Sequence, residues 1–251
     1  MPDKATNIVG FIPGRAESTR FPGKPLADIL GKPMIVRVLE RAEQCPLLAA
    51  AYVATDSTEI LNAVQGHGGK AVLTGKDHVS GSDRIAEAAR KSGLSGSHIV
   101  VNIQGDQPLF DPTMIEEVVR PLLEDPTIPM STLIYRIIRE EEILDPNAVK
   151  TAVDGEGFAL YFSRATIPCY RSSSREQVYY KHHGIYAYRN DFLQKFAQLP
   201  QGVLERAEKL EQLRALENGF RVKTVITAKD SIEVDTPADL ERVRATYAKM
   251  I

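Results

Sequence analysis

The fold of this chain is decided near its start, by the apolar run and following loop Ile8-Val9-Gly10-Phe11-Ile12-Pro13-Gly14-Arg15-Ala16-Glu17-Ser18-Thr19-Arg20-Phe21-Pro22-Gly23-Lys24-Pro25. The apolar run predicts a short buried strand. The loop combines glycines, which let backbone N–H groups approach an anion, with cations that neutralise it. Open α/β sheets bind their ligands at the carboxyl ends of strands. The stretch therefore predicts a phosphate-rich ligand, with a nucleotide as the first expectation.

Two common phosphate-binding loops do not fit this stretch. A Walker A loop needs a glycine, four further residues and then Gly-Lys-Ser/Thr, but Ser18 stands at the position of the first glycine and Pro25 follows Lys24. The dinucleotide-binding pattern Gly-x-Gly-x-x-Gly does not follow Ile12 either. A solvated surface loop is the simpler alternative for a charged segment. The position directly after a buried strand favours anion binding by neither standard device.

Composition sets broad limits on the class of protein. The chain has 251 residues, of which 43% are hydrophobic and 25% charged, as in ordinary globular proteins. Its net charge of −2 gives no reason to expect nucleic acid or an anionic membrane as a partner. No apolar run reaches the length of about 18 residues that a membrane span requires. Cys45 and Cys169 form neither a metal framework nor a disulfide scaffold, so we expect a cytoplasmic protein with reduced thiols.

The rhythm of apolar segments predicts the fold class. In the first half, short apolar strands alternate with amphipathic helices such as Met34–Ala42, a pattern typical of a parallel sheet with helices on both faces. In the second half, 147–153 and 158–162 flank Asp154-Gly155-Glu156-Gly157, which indicates an antiparallel hairpin. We therefore predict a three-layer α/β/α fold with a mostly parallel mixed sheet, formed by residues 1–251 as a single domain.

Two further segments of the second half carry predictions. A polar stretch over 171–177 predicts a mobile loop. The apolar spacing of Leu204, Leu210, Leu213 and their neighbours predicts one helix from Leu204 to Asn218, closed by Gly219.

Two aspartates follow predicted strands. Asp106 comes directly after the strand 99–103, and Asp235 precedes the helix that Thr236-Pro237 opens. Carboxylates at a sheet edge suit Mg²⁺, which takes one or two of them and completes its shell with water and phosphate oxygens. Asp235 could instead belong to an ordinary helix start, and Asp106 to an ordinary turn. Their shared location near a basic loop favours a metal site.

Several motifs, taken together and in order, resemble the 3-deoxy-manno-octulosonate (Kdo) cytidylyltransferases, including the branch that acts on the 8-amino-3,8-dideoxy analogue. The motifs are 15–25, Val53-Ala54-Thr55-Asp56, Ser80-Gly81-Ser82-Asp83-Arg84, Gln104-Gly105-Asp106-Gln107-Pro108, Ala159-Leu160-Tyr161-Phe162-Ser163-Arg164, Gly184-Ile185-Tyr186-Ala187-Tyr188, Glu208-Lys209-Leu210-Glu211-Gln212-Leu213-Arg214 and Val234-Asp235-Thr236-Pro237. They cover nearly the whole chain. The resemblance implies a nucleotide-diphospho-sugar transferase-like fold and transfer of CMP from CTP to the anomeric hydroxyl of Kdo, with release of pyrophosphate.

The resemblance also implies roles for individual residues. Arg15, Lys24 and Asp106 would act in catalysis, and Asp106 and Asp235 would hold Mg²⁺, with a second ion on the triphosphate. The implied nucleotide-binding residues are Pro13, Gly14, Arg15, Lys24, Ser80, Arg84 and Gln104. The implied sugar-binding residues are Gln104, Arg164, His182, Tyr186, Glu211 and Gln212. For His182 a positioned hydrogen bond to the sugar is favoured over a general base, because the metal can activate the hydroxyl. Residues 147–190 would form a sugar-binding and dimerisation region of a homodimer, whose product would feed lipopolysaccharide synthesis.

Three positions depart from the family pattern. Gly14 replaces alanine, Gln107 replaces glutamate after Asp106, and His183 occupies a usually aliphatic position. Gln107 also occurs in the 8-amino branch, so the substituent at C8 of the sugar stays open. Two alternatives remain beside the favoured reaction. One is a nucleotidyltransferase for another sugar acid or sugar phosphate, and the other is a nucleotide-binding subunit that has lost catalysis.

Overall fold

The strands predicted in the first half form the centre of one mixed sheet. The computed structural model describes residues 7–15, 21–172 and 177–249. Loop residues 16–20, and residues 173–176 of the predicted mobile loop, lie outside the described residues. The strands are β1 (Ile8–Gly14), β2 (Asp28–Ile29), β3 (Lys32–Pro33), β4 (Ala50–Thr55), β5 (Ala71–Leu73), β6 (Ile99–Asn102), β7 (Met130–Arg136), β8 (Lys150–Val153), β9 (Ala159–Ser163), β10 (Tyr180–Arg189) and β11 (Lys223–Thr227).

The helices are mostly short and lie between the strands. They are α1 (Met34–Ala42), α2 (Thr58–Gly66), α3 (Gly81–Lys91), α4 (Thr113–Glu124), α5 (Glu141–Leu144), α6 (Asn190–Phe196), α7 (Val203–Glu208), α8 (Leu213–Glu217) and α9 (Pro237–Tyr247). A single 3-10 turn, Lys24–Leu26, ends the long first loop. Ser57, Ser80 and Thr236 cap α2, α3 and α9 through their side chains, as expected for hydroxyl residues at helix starts.

The main sheet has the strand order β11-β7-β10-β6-β1-β4-β5, with β8 paired to β10 and β9 paired to β8. β1 lies parallel to β4 and β6, with Val9 opposite Ala50 and Val100. Only β10 runs antiparallel within this order, since it pairs with β6 and β7 in that sense and β11 is parallel to β7. The carboxyl ends of β1, β4, β6, β7 and β11 therefore lie at one edge of the sheet.

Apolar side chains cover both faces of this sheet. One cluster packs α1, α2 and α4 on the sheet and includes Ile35, Val38, Ile60 and Val118. The other packs α3, α6 and α8 on the opposite face and includes Ile85 and Phe196. The predicted three-layer arrangement, with a mostly parallel sheet and the β8–β9 hairpin, is confirmed. No helix within the described ranges is long and apolar enough to cross a membrane.

The helix predicted from Leu204 to Asn218 is wrong. The segment forms two short helices, α7 and α8, separated by Lys209 in the left-handed region at φ 53°. Leu204 is 38% exposed, whereas Leu213 is buried as predicted. Apolar spacing alone does not reveal such a break, because Leu210 and Leu213 reach the core from the turn and from the second helix.

Candidate active site

Four candidate site residues lie where parallel strands end. Arg15 follows β1, Asp56 follows β4, Asp106 lies just beyond β6, and Asp235 lies in the loop after β11. The backbone N–H of Val234 donates to the carbonyl oxygen of Asp106 at 2.9 Å, which holds these two loops together. The prediction that Asp106 and Asp235 share one sheet edge is therefore met by the geometry.

Lys24 connects the two aspartates. Its Nζ donates to Asp106 Oδ2 at 2.8 Å and to Asp235 Oδ1 at 3.3 Å. Burial lowers the pKa of the Lys24 ammonium, but the two carboxylates, Asp106 foremost, outweigh this effect and hold that pKa above its usual value. A cation thus lies between two carboxylates at the centre of the sheet edge.

A large cleft opens on one side of this cation, and we call it the β1 cleft. It has a volume of about 820 Å³. Asp106 lines it together with most of the predicted nucleotide-binding residues, namely Pro13, Gly14, Arg15, Lys24, Arg84 and Gln104. Gly105 permits this arrangement, because a Cβ there would lie 2.8 Å from the carbonyl oxygen of Pro13. The loops after β1 and β6 therefore approach each other closely.

Arg84 lies at the floor of the β1 cleft and is fully buried. It donates to Asp56 Oδ2 at 2.7 Å and to Thr74 Oγ1 at 2.7 Å. Arg84 Nε and Asp56 Oδ1 are buried without a hydrogen-bond partner in the described part of the chain. Sequence reasoning assigned no role to Asp56, although it follows a buried strand as Asp106 does, and that signal could have identified it.

A second cavity, which we call the α7 cavity, adjoins the cleft at Arg15. It has a volume of about 510 Å³, and its lining includes Arg15, Ser80, Glu205, Arg206, Lys209 and Glu211. Glu211 accepts a hydrogen bond from Ser82 Oγ at 2.6 Å. Desolvation by burial raises the pKa of the Glu211 carboxyl. Glu211 and Gln212 belong to the turn between α7 and α8, so the prediction that they lie on a helix is wrong.

Gln212 in that turn and Arg164 beside it are two of the predicted sugar-binding residues. Gln212 is 3% exposed, and its Nε2 has no hydrogen-bond partner among the residues described. Arg164 donates from Nε to the carbonyl of Glu208 at 2.7 Å and from Nη1 to the carbonyl of Pro146 at 3.0 Å. The Arg164 guanidinium thus ties the hairpin to the end of α7.

Two of the remaining predicted sugar-binding residues, His182 and Tyr186, lie on β10, and Gln104 contacts that strand from the loop after β6. His182 contacts Thr132 Oγ1 at 2.9 Å and packs against Tyr186, with 5.1 Å between ring centroids. Desolvation, with a smaller contribution from His183, lowers the pKa of His182 to about 3. Burial raises the pKa of Tyr186 well above its usual value. Gln104 Nε2 donates to the carbonyl of Gly184 at 2.6 Å, which links β10 to the β1 cleft.

A third cavity, which we call the β11 cavity, lies beyond His182. Its volume is about 350 Å³, and its lining includes Lys181, His182, His183, Asp230, Glu233 and Asp235. Buried Gln107 donates from Nε2 to Glu233 Oε1 at 2.9 Å. This contact explains the residue at position 107, because a glutamate there would face the Glu233 carboxylate. Sequence reasoning missed Glu233, which carries no motif of its own.

Comparison with known proteins identifies the family. A family model described as "Cytidylyltransferase" matches residues 9–230. The chain belongs to the cytidylyltransferase family. This match and the relatives described next confirm the resemblance drawn from the motifs, and they support a CTP-dependent nucleotidyltransferase.

Three comparisons give the detail within this family. The chain is 58% identical over 237 residues to the "3-deoxy-manno-octulosonate cytidylyltransferase" of Syntrophus aciditrophicus, covering 94% of this chain and 96% of the relative. It is 54% identical over 243 residues to the "8-amino-3,8-dideoxy-manno-octulosonate cytidylyltransferase" of Shewanella halifaxensis, covering 96% and 99%. A solved CMP:2-keto-3-deoxy-manno-octonic acid synthetase complexed with CTP is 44% identical, with a TM-score of 0.90 over 98% of this chain and 100% of that chain.

Proposed function

We propose that this cytidylyltransferase transfers CMP from CTP to the anomeric hydroxyl of Kdo and releases pyrophosphate. The observation that carries the proposal is the Lys24 ammonium held between Asp106 and Asp235, at the junction of the β1 cleft with the β11 cavity. The relatives of highest identity cited above, named for Kdo and for its 8-amino analogue, support the choice of an octulosonate.

In the proposed reaction the anomeric hydroxyl loses its proton to solvent water and its oxygen forms a bond to the α-phosphorus of CTP. The bond from that phosphorus to the bridging oxygen of pyrophosphate breaks. Such transfers depend on positioning and on neutralisation of charge more than on covalent chemistry. Arg15 and Lys24 both line the β1 cleft, so they can hold the triphosphate and neutralise charge that gathers on the leaving pyrophosphate.

We also propose Mg²⁺ as the cofactor, held by Asp106 and Asp235. The donor set fits this ion, because Mg²⁺ takes one or two carboxylates and fills its shell with water and phosphate oxygens. When bound, the ion would polarise the α-phosphate and lower the pKa of the attacking hydroxyl. A second ion on the triphosphate completes the proposal.

The sugar is proposed to lie between β10 and the turn after α7. His182 with its pKa near 3 is neutral at pH 7 and a weak base, so it suits a hydrogen bond to a sugar hydroxyl better than proton abstraction. Glu211 and Gln212 contribute polar groups from the turn. The Nε2 of Gln212 has no hydrogen-bond partner among the residues described, so it is available to donate to a sugar oxygen. Arg164 is the proposed contact for the sugar carboxylate, and it would have to share its guanidinium with the carbonyls that it now holds.

The 8-amino analogue is the second candidate substrate. Gln107, shared with the 8-amino branch, contacts Glu233 at the β11 cavity, whose lining also contains Asp230. Carboxylates are the groups that an ammonium on the sugar would require. Incubation with CTP, Mg²⁺ and each octulosonate, with pyrophosphate release as the measurement, tests both candidates. Absence of release with both sugars contradicts the proposed function, whereas the ratio of the two rates decides which octulosonate is the substrate.

Substitution of the aspartates tests the metal site. Asp106→Asn and Asp235→Asn are each expected to lower kcat by about 10³-fold or more, because loss of a metal ligand removes several kcal/mol of transition-state stabilisation. Circular dichroism should show an unchanged fold. Glu43→Gln, which alters an exposed carboxylate after α1, is the matched control and should retain wild-type turnover. Near-normal kcat in either aspartate variant removes that residue from the proposed metal site.

The proposed setting of the enzyme follows from the same reaction. We propose that it works in the cytoplasm as a homodimer and that its product feeds lipopolysaccharide synthesis. We place the dimer contact at the β8–β9 hairpin, because β9 pairs with β8 alone among the strands described and so leaves part of a strand edge open.

A further inference from the structure

Arg214 carries a buried charge between two parts of the proposed site. It lies in α8 and is 2% exposed, so its charge has to be compensated inside the protein. Its Nε and Nη2 donate to the two carboxylate oxygens of Glu205 at 2.8 and 2.6 Å. Its Nη1 donates to Asp83 Oδ1 at 2.9 Å. The guanidinium also lies over the ring of Phe196, 4.8 Å from the centroid. These contacts leave it a single well-defined position.

Asp83 passes this constraint to the start of α3. While its Oδ1 accepts from Arg214, its Oδ2 accepts from the backbone N–H of Ser80 at 3.1 Å. Ser80 Oγ in turn accepts from the backbone N–H of Asp83 at 3.1 Å, which completes a capping box. The position of Ser80, a proposed nucleotide contact, therefore depends on the same carboxylate that Arg214 binds.

The turn between α7 and α8 is fixed to α3 at a second point. Glu211, three residues before Arg214, accepts from Ser82 Oγ at 2.6 Å. Ser82 is fully buried, and its hydroxyl also lies 3.1 Å from the hydroxyl of Tyr188. A displacement of the start of α3 must therefore move the turn, because two charged side chains join them through short contacts in the interior.

We propose that Arg214 is a positioning residue that couples nucleotide binding at Ser80 to sugar binding at Glu211 and Gln212. The inference rests on the proposed function, which places nucleotide and sugar on these residues. Nucleotide bound at Ser80 orders the start of α3, and Asp83 and Arg214 transmit that order to the turn. Because coupling between two ligands is reciprocal, bound sugar strengthens nucleotide binding by the same factor.

A lysine cannot replace this arginine. The guanidinium supplies a planar fork for Glu205 and a further donor for Asp83, whereas an ammonium is a point charge. Arg214→Lys therefore keeps the charge and loses the geometry, which makes it the most informative variant. Asp83→Asn is the second variant, because it weakens the link to α3 and leaves the pair between Arg214 and Glu205 intact, so the protein should fold even if Arg214→Lys does not.

Hydrogen exchange tests the coupling without sugar. The probe is a CTP analogue with a methylene group between the α- and β-phosphorus atoms. In the wild type the analogue should slow amide exchange in 209–213 by about fivefold or more, the lower range of allosteric coupling. In Arg214→Lys and Asp83→Asn the slowing should fall below about twofold. Failure of the analogue to protect 209–213 in the wild type, or full protection in both variants, overturns the proposal.

Calorimetry of Kdo binding with and without the analogue then measures the coupling factor itself. The wild-type factor should be at least about fivefold and should approach one in both variants. If protection of 209–213 is seen but Kdo does not bind the wild type, the proposed sugar is wrong and the coupling stands. Arg189→Lys is the control, because Arg189 donates to the carbonyls of Leu122, Asp125 and Ile128, remote from these contacts. It should lower stability and leave the coupling factor unchanged.

Discussion

Lys24 places a positive charge where the proposed cofactor would bind. Its ammonium contacts Asp106 at 2.8 Å and Asp235 at 3.3 Å, so its single positive charge offsets one of the two negative charges of these carboxylates. A divalent cation must compete with this ammonium for the same oxygens. Once released, the side chain can reach triphosphate oxygens, because Lys24 also lines the β1 cleft. A single side chain would thus link binding of the nucleotide with binding of the proposed metal.

Lys24→Met separates these two roles. Without the ammonium, Mn²⁺ should bind the nucleotide-free protein about tenfold more tightly or better, since at least about 1.4 kcal/mol of competing attraction is lost. Turnover should nevertheless fall by about 10²-fold or more, because a group that stabilises the leaving pyrophosphate is missing. Calorimetric Mn²⁺ titration and pyrophosphate release measure the two effects. Lys32→Met, which breaks a surface pair with Glu40, is the control, and an unchanged Mn²⁺ affinity in Lys24→Met would contradict the competition.

His182 should make the fold sensitive to acid. Its folded-state pKa of about 3 lies below the usual value of about 6.5. Between these values the unfolded chain binds a proton that the folded chain does not, so stability falls as the pH falls, by about 1.4 kcal/mol per pH unit for this group. Urea unfolding between pH 6 and 4 measures this slope, which corresponds to uptake of about one proton on unfolding, and His182→Gln should remove it. His67→Gln, at an exposed position after α2, should keep it, and equal slopes in wild type and His182→Gln would refute the assignment.

At the scale of elements, the close approach of the loops after β1 and β6 requires a glycine at position 105, in the second of these loops. A Cβ on Gly105 would lie 2.8 Å from the Pro13 carbonyl oxygen and 3.1 Å from Ile35 Cδ1. Gly105→Ala should therefore cost about 1–3 kcal/mol in the free energy of unfolding. It should also raise the KM for CTP, because the displaced loop lines the β1 cleft. Gly66→Ala, at the end of α2 with nothing within 4 Å of the new Cβ, should be neutral or stabilising by up to about 1 kcal/mol. Similar effects of the two substitutions would exclude the proposed clash.

The elements also show how far sequence patterns reach. Short apolar runs located β1, β4 and β6, because strands buried on both faces need continuous apolar residues. The same reasoning failed between α7 and α8, where Lys209 adopts a left-handed conformation that no local pattern announces. The shared location of Asp106 and Asp235 at one edge of the sheet could be predicted, because each aspartate lies in a loop that follows a strand. Arg214 and Glu205 could not, because a buried ion pair and a solvated one have the same residue types.

At the scale of the whole molecule, the β8–β9 hairpin leaves part of a strand edge uncovered. On the side of β9 away from β8, the start of the strand is bonded, since the N–H of Ala159 donates to the carbonyl of Val222 at 2.9 Å. β9 pairs with β8 alone among the strands described, and Leu160 stands on it with 63% of its side chain exposed. Exposed strand edges invite pairing with another chain, and apolar groups beside them strengthen such contacts. The same region supplies Arg164, which holds the turn of the proposed sugar site through Glu208. A second copy bound at this edge would stiffen both hairpin and turn.

Leu160→Glu tests the proposed homodimer. A carboxylate at the centre of a self-complementary contact would face its own copy, so dimerisation should weaken by at least about 2 kcal/mol. Sedimentation velocity should show the wild type as a dimer and Leu160→Glu as a monomer at equal concentration. Leu123→Glu on α4, which is 53% exposed, carries the same charge change on another face and should stay dimeric. A monomeric wild type, or a dimer that survives Leu160→Glu, would place the interface elsewhere or remove it. If the dimer stiffens the turn, the KM for sugar should rise above its wild-type value in the monomeric variant, and it should rise by a larger factor than the KM for CTP.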